Sequence, residues 1–322
     1  MPSVSQFNEP ASSEQKTALH IAIKQVNQLV LGKPETIKLV FCSILAGGHV
    51  LLEDLPGLGK TTLANAIAAS LGLDFGRIQF TSDLLPADVV GISIYSQKNE
   101  RFKFQPGPIF NQIILADEVN RAPPRTQSAF LEAMAENHVT VDGKLHSLPQ
   151  PFFVIATQNP VDLAGTWPLP DSQLDRFLLK LSLGYPDADA ERQLLEEPDR
   201  QTMLSATEPK LSSDQLLSLI SDSNQIHCSA HILDYIQRLL QASRQNPMIN
   251  VGLSPRAGLA LLQVARAHAL IENREHVLPD DVKAIFVALA AHRIRLRETD
   301  QEQIPKTAIE IAQGLLDSTS VD

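Results

Sequence analysis

Cysteine is nearly absent from this 322-residue chain: Cys42 and Cys228 stand far apart, and no C-x-x-C pair occurs. Two isolated thiols build neither a disulfide framework nor a cysteine metal site, and they suit a reducing compartment. Long apolar runs are missing too. No stretch of about 18 apolar residues exists, so no membrane-spanning helix is expected. Residues 1–13 are polar without an apolar centre, unlike a signal peptide, so the expected location is cytoplasmic. Basic charge is in deficit, with 27 Lys and Arg against 37 Asp and Glu and a formal net charge of −10. A sequence-independent grip on nucleic acid needs clustered positive charge, so nucleic acid is not expected as a partner. What is present is an ordinary globular composition, 43% hydrophobic and 20% charged, long enough for about two domains.

The most specific stretch is HVLLEDLPGLGKTTLANAIAASL, residues 49–71. Val50, Leu51 and Leu52 read as a buried strand, Asp54 to Gly59 as a turn, and the run from Lys60 onward as a helix. Strand, glycine loop and helix form the context of a phosphate-binding loop. Gly57 and Gly59 let backbone N–H groups approach an anion where a Cβ would obstruct, and Pro56, Leu58 and Thr62 complete the loop. The helix contributes its positive end, Lys60 a point charge for the β- and γ-phosphates of ATP, and Thr61 a hydroxyl for Mg²⁺. The full pattern G-x-x-x-x-G-K-[ST] places glycine where this chain has Asp54. A carboxylate aimed at phosphates would be repelled, so Asp54 is expected to point away. On this reading Asp54→Gly leaves ATP affinity equal or improved.

A second landmark is Ile113-Ile114-Leu115-Ala116-Asp117-Glu118, a buried strand with two carboxylates at its C-terminal end, where ligands sit in open α/β sheets. Asp117 is the expected Mg²⁺ ligand, directly or through water, and Glu118 the group that polarises an attacking water. Alone, such a pair is commonplace at helix starts; after the glycine loop it becomes a site. A third strand, Phe152 to Ala156, delivers Asn159 to the same end, although Asn before Pro160 also reads as a simple turn.

The remaining organisation follows from periodicity. Leu19, Ala22, Ile23, Val26, Leu29 and Val30 mark a first helix, and a second runs from about Pro34 to Ala46. Leu84 to Asp88 reads as a turn into Val89. An inserted hairpin-like element then alternates through Ile92-Tyr95 and Phe102-Phe104, around a turn at Lys98-Asn99-Glu100. Its aromatics suggest a use, though a solvated loop fits the residues equally well. Asp142-Gly143 between alternating runs marks a second hairpin, about 138–148. Phe177 to Leu179 reads as the last core strand, and a polar stretch containing the Glu196-Glu197-Pro198 break places a domain boundary near Tyr185-Pro186. Beyond it the pattern is helical, with Ile232, Leu233, Ile236, Leu239 and Leu240 on one face and Leu259, Leu262, Leu270 and Ile271 on another. Val282, Ile285, Phe286 and Leu289 follow on a final helix, and Leu253-Ser254-Pro255-Arg256-Ala257 starts one helix with a Ser cap and Pro at its first position. The expected organisation is an α/β protein with a tail (1–14), a core (15–185) and a helical lid (186–322).

Taken together, PGLGKT (56–61), LADEVNRAPPRTQSAFLEAM (115–134), VTVDG (139–143), ATQNP (156–160) with GTWPLPDSQLDRF (165–177), and LSPRA (253–257) resemble the signatures of the MoxR family of AAA+ ATPases. Departures are Asp54 in place of the family's usual glycine and Trp167 where tyrosine is commoner. The resemblance implies a five-stranded parallel AAA+ core with a helical lid, acting as a ring, expected to be a hexamer. It makes Lys60 and Thr61 Walker A, Asp117 and Glu118 Walker B, Asn159 sensor 1, Arg176 an arginine finger acting in trans, and Arg256 a sensor 2 that contacts nucleotide. The insert at 88–108 and the hairpin at 138–148 resemble the helix-2 insert and the pre-sensor-1 hairpin, which face the pore or substrate. The family acts with von Willebrand factor A domain proteins in chaperone-like assembly, metal-centre insertion or activation of client complexes. The residues make independent sense of Arg176: one subunit has Lys60 for the phosphates but no second cation for the transition state. A trans arginine contributes on the order of 10³ to 10⁵ in rate. For an isolated arginine after Asp175, a salt bridge within its own core is the commoner reading. Two other functions compatible with these motifs are a DNA-associated motor, against which Lys98, Arg101, Lys103 and Lys144 are too interspersed with Glu100 and Asp142, and a nucleotide-gated scaffold with weak hydrolysis.

Overall fold

The computed structural model describes residues 13–97, 100–160, 165–196, 200–297 and 307–321. Most of the expected tail, the turn at 98–99 and the break at 197–198 lie outside the described residues.

Helices α1 (Ser13–Leu29) and α2 (Pro34–Leu45) lead into strand β1 (His49–Glu53), helix α3 (Lys60–Leu71) and strand β2 (Phe75–Gln79). The segment read as a turn before Val89 is instead a short helix, α4 (Pro86–Val90). Pro86 sits at its first position and the Asp88 carboxylate accepts the Leu85 N–H at 2.9 Å, a cap that turns the chain helical. The insertion is a hairpin of β3 (Gly91–Ser96) and β4 (Arg101–Pro106), with Tyr95 opposite Phe102. Its base is pinched: a Cβ on Gly91 would lie 2.3 Å from the Gln105 carbonyl oxygen, and one on Gly107 as close to that of Val89. Strand β5 (Ile113–Asp117), helix α5 (Pro124–Glu136), the hairpin β6 (His138–Val141) and β7 (Lys144–Ser147), and strand β8 (Phe153–Gln158) follow. A short helix α6 (Asp171–Leu174) precedes β9 (Phe177–Leu181).

The central sheet has the order β2-β5-β8-β1-β9, and every neighbouring pair is parallel. Its apolar runs are continuous because both faces are covered. Val50 and Leu52, Ile113 and Leu115, and Phe153 and Ile155 enter one core cluster. Their alternates Leu51, Ile114, Ala116, Val154 and Ala156 enter the other. Full burial of each such Leu or Ile contributes roughly 1.5–3 kcal/mol. The second cluster is closed by α5 through Phe130 and Leu131, the first by α1 to α3 and by the helices that follow β9.

Those helices are α7 (Ala188–Glu196), α8 (Arg200–Ser205), α9 (Ser213–Gln225), α10 (Ala230–Gln245), α11 (Pro255–Ile271), α12 (Pro279–Ala290) and α13 (Ala308–Ser318). A small ribbon, β10 (Ile249–Val251) with β11 (Arg295–Leu296), joins them. The expected Ser254 cap is present, its hydroxyl accepting the Ala257 N–H at 3.2 Å. The face read on α11 is half right: Leu270 and Ile271 are buried as expected and Leu262 partly so, but Leu259 is exposed, and Leu261, Val264, Ala265 and His268 complete the buried stripe. On an alanine-rich helix the leucines alone do not define the stripe, and Leu259 falls outside it. The Val282, Ile285, Phe286 and Leu289 face of α12 is fully buried.

Asp54 does point away from the loop, and it has a structural task. Its carboxylate is buried and accepts the Ser182 hydroxyl at 2.7 Å and the N–H groups of Leu183 (2.6 Å) and Gly184 (3.1 Å). It thereby ties the chain leaving β9 to the root of the glycine loop. The expectation that Asp54→Gly leaves ATP affinity equal or improved took no account of these bonds: the change deletes a hydrogen-bonded carboxylate and strands the N–H groups it held. Asp54→Gly is expected to lower unfolding free energy by about 2 to 4 kcal/mol and to weaken ATP binding, with Asp54→Asn milder; urea unfolding and calorimetry measure both.

His49 opens β1 and is buried. Its Nδ1 accepts the Val154 N–H at 3.1 Å, so Nε2 carries the proton and donates to the Met134 carbonyl at 3.1 Å. Burial holds this imidazole neutral, with its pKa lowered to about 4, and burial beside Arg293 lowers that of His292 to about 3. Between these values and the ordinary 6.5 the unfolded chain binds more protons than the folded one, so stability falls as pH drops through that window. Going from pH 7 to 5 is expected to lose on the order of 2 kcal/mol per histidine, and His49→Gln to flatten that slope in urea unfolding.

Candidate active site

The loop between β1 and α3 holds Gly57 at φ +84° and Gly59 at φ +85°. A Cβ at either would meet nothing of the protein within 4 Å, so what the chain requires of these glycines is the left-handed backbone. Beyond the loop lies a cleft of about 510 Å³ lined by Pro56, Gly57, Gly59, Lys60, Thr61, Thr62, Arg77, Gln79, Asp117, Glu118 and Asn159. The structure therefore brings the glycine loop, the carboxylate pair and Asn159 into one place. Each comes from the C-terminal end of a parallel strand.

Lys60 folds back on the loop, its Nζ donating to the carbonyls of Asp54 (2.8 Å) and Leu55 (3.2 Å). Asp117 is held from two sides. The Thr157 hydroxyl donates to its Oδ1 at 2.6 Å, and Arg77 Nη2 donates to its Oδ2 at 2.7 Å. Glu118 adopts a left-handed backbone, φ +57°, a costly conformation for a non-glycine residue that clusters at functional sites. Its N–H donates to the Thr157 oxygen at 2.9 Å, and its Oε2 accepts Gln79 Nε2 at 3.0 Å and pairs with Arg121 Nε at 3.1 Å. The donor set suits a hard divalent cation: the Thr61 hydroxyl and the Asp117 carboxylate face one cleft, and Asp117 already holds a positive group on one oxygen.

Leu58 faces a second, apolar cavity of about 510 Å³ that shares Gly57, Gly59 and Thr62 with the cleft. Leu29, Val30, Tyr185, Leu194 and Leu195 line it, and Tyr185 and Leu195 are among the most exposed large apolar side chains. This cavity was not legible in the sequence, because its walls come from α1, the exit of β9 and α7.

Arg176 and Arg256 are elsewhere. With Asp175, Arg293 and His49 they line a cleft of about 320 Å³ at the N-terminal ends of β1 and β9. The five residues of β1, roughly 16 Å of strand, separate that end from the loop. Arg256 therefore lies beside Arg176 and apart from Lys60 within one chain. Arg176 Nη1 donates to the Leu131 carbonyl at 2.7 Å. Asp175 is shared, with Arg293 Nε at 2.8 Å and Arg256 Nε at 3.9 Å. Arg293 also donates to the carbonyls of Phe177 (2.7 Å) and Leu178 (3.0 Å), fastening the end of α12 to β9.

Sequence reading missed Thr157, Arg77, Gln79 and Arg293. The alternation in β2, where Arg77 and Gln79 are exposed between buried residues, was the available signal for two of them. Trp167 is partly exposed and joined to the site's flank, its N–H donating to the Asn120 carbonyl at 2.7 Å and its carbonyl accepting Gln127 Nε2 at 2.9 Å.

Thr157→Val removes one hydroxyl that serves both carboxylate residues, leaving the Glu118 N–H without its acceptor. A loss of about 1–3 kcal/mol in unfolding free energy is expected from denaturant curves, with Thr157→Ser close to wild type.

Residues 49–179 match the ATPase family associated with various cellular activities (AAA), and residues 241–313 match the AAA lid domain. YeaC of Bacillus subtilis is 45% identical, covering 89% of this chain and 90% of its own. Chaperone MoxR1 of Mycobacterium tuberculosis is 38% identical over 86% of this chain and 76% of its own, and protein MoxR of Paracoccus denitrificans 33% identical over 84% and 86%. The crystal structure of a Cytophaga hutchinsonii protein described as an ATPase superposes with a TM-score of 0.87 at 37% identity, covering 95% of both chains. Likeness of this extent runs from the glycine loop through the lid, and the chain belongs to the MoxR family of AAA+ ATPases.

Proposed function

We propose that this protein is a Mg²⁺-dependent ATPase that works as a ring, a hexamer, remodelling or activating partner proteins in the cytoplasm. The observation that carries this reading is the separation of two half-sites. The cleft with Lys60, Thr61, Asp117, Glu118 and Asn159 lies at one end of the parallel strands, and a cleft rich in arginine lies at the other. Residues 15–185 serve as the ATPase core and 186–322 as the lid.

In this reading the loop N–H groups and Lys60 grip the β- and γ-phosphates, and the apolar cavity beside Leu58 accepts the base. Thr61 and Asp117 would hold Mg²⁺, which neutralises charge on the β- and γ-oxygens. Glu118 takes the role of polarising the attacking water, and Asn159 of orienting it. Arg176 and Arg256 complete the neighbouring subunit's site, since neither can cross the sheet to its own. The hairpins at 91–106 and 138–147 form the substrate-facing elements, supported by the exposure of Ile92, Ile94, Tyr95, Phe102 and Leu145. A partner with a von Willebrand factor A domain and a client complex, including one whose metal centre is being assembled, follow from the family resemblance, and one relative is named a chaperone.

The test mixes two dead variants. Arg176→Ala subunits keep Glu118 and Glu118→Gln subunits keep Arg176, so a mixed ring contains intact junctions. Phosphate release from a titration at fixed total protein, with subunit exchange shown by labelled chains, is expected to exceed the sum of the separate activities. No excess means that Arg176 acts within its own chain. Lys60→Ala is expected to abolish ATP binding, whereas Glu118→Gln binds ATP and does not turn it over.

A further inference from the structure

Arg77 lies in none of the motifs that carry the proposed reaction, yet it contacts the carboxylate on which that reaction depends. It stands on β2, the sheet edge, and its guanidinium opens onto the phosphate cleft. Nη2 donates to Asp117 Oδ2 at 2.7 Å and to Gln79 Oε1 at 3.0 Å. The other Asp117 oxygen is taken by Thr157. Both oxygens of Asp117 are therefore engaged, one of them by a cation. A divalent cation served by Asp117, directly or through water, meets a positive guanidinium already at that carboxylate, and like charges at this distance repel.

We propose that Arg77 is a positioning residue that gates the divalent cation: it holds Asp117 in place and yields Oδ2 as the metal arrives. The proposal rests on the reading of Asp117 as a Mg²⁺ ligand. Two features suit a gate better than a lock. The Arg77 side chain is 49% exposed and Asp117 only 16%, so the arginine can swing into solvent while Thr157 keeps the carboxylate fixed. An ion pair this exposed is weak and screened, so a divalent ion displaces it readily. Gln79 makes the exchange local, since its amide oxygen takes Arg77 and its amide nitrogen holds Glu118.

The experiment follows Mn²⁺ binding by its paramagnetic resonance signal, at saturating ADP, in wild type and in Arg77→Met. Removing the competing cation is expected to lower the half-saturating Mn²⁺ concentration about threefold, the scale of an exposed ion pair. The difference is expected to shrink as salt rises from about 0.1 M towards 1 M, where screening shortens from about 10 Å to 3 Å. A packing effect would not follow salt. Arg77→Lys keeps the charge and is expected to stay near wild type; Arg77→Gln is a second neutral variant carrying the same expectation as Arg77→Met if that one does not fold. Unchanged or weaker Mn²⁺ binding in the neutral variants overturns the gate, weaker binding meaning that Arg77 helps to hold nucleotide. ADP binding in the absence of metal separates the two readings. If wild type binds no ADP, the nucleotide-site assignment fails and the gate with it; if ADP and Mn²⁺ bind and the neutral variants match wild type, the gate alone fails.

Discussion

Parallel strands impose a direction on everything this protein carries. Because β2, β5, β8, β1 and β9 run the same way, all their C-terminal ends open on one side and all their N-terminal ends on the other. Each return must cross outside the sheet, so helices cover both faces and the strands between them become continuous apolar runs. The loop before α3, the Asp117-Glu118 pair, Thr157 and Asn159 are brought together by that rule alone. So is the removal of Arg176, which precedes its strand where the others end or follow theirs.

The second consequence is that two clefts of different character lie at opposite ends of the same strands. The arginine cleft brings Arg256 and Arg293 to one carboxylate, Asp175, with Arg176 alongside on the Leu131 carbonyl, and the lid helices reach it because Arg293 bonds the backbone at the start of β9. Burial lowers the Arg293 pKa and its contacts with Asp175 only partly offset that; its bonds to the Phe177 and Leu178 carbonyls make it a structural fastener. Arg256 side chains are largely exposed by contrast. Position in the fold, not residue type, separates the buried fastener from the exposed cation.

Inside the phosphate cleft, polar groups are matched rather than merely adjacent. Thr157 serves Asp117 and the strained Glu118 backbone together, while Gln79 bridges Arg77 and Glu118. A positive φ at Glu118 persists only where neighbours over-determine it, and here a hydroxyl, an amide and a guanidinium do so. The two hairpins also meet: the Phe104 ring stacks on His146 with centroids 3.8 Å apart, and β3 lies near β6.

The residues determined the strands, the glycine loop, the carboxylate pair and the family resemblance, because each rests on short-range pattern: short continuous apolar runs, glycine at fixed spacing, acid at a strand end. Even the outward turn of Asp54 followed from charge repulsion. Its purpose did not, since Ser182, Leu183 and Gly184 are distant in sequence and meet it only where β9 leaves the sheet beside β1. The same holds for Arg77, an ordinary strand-edge arginine until β5 lies next to β2 in register, and for Arg256, whose helix could have carried it to either end of the sheet. Leu259 was misread for a related reason: hydrophobicity says that a side chain favours burial, and only packing decides which stripe of an alanine-rich helix receives it. Local chemistry is written in neighbours along the chain, whereas partnership across the fold depends on which ends the sheet brings together.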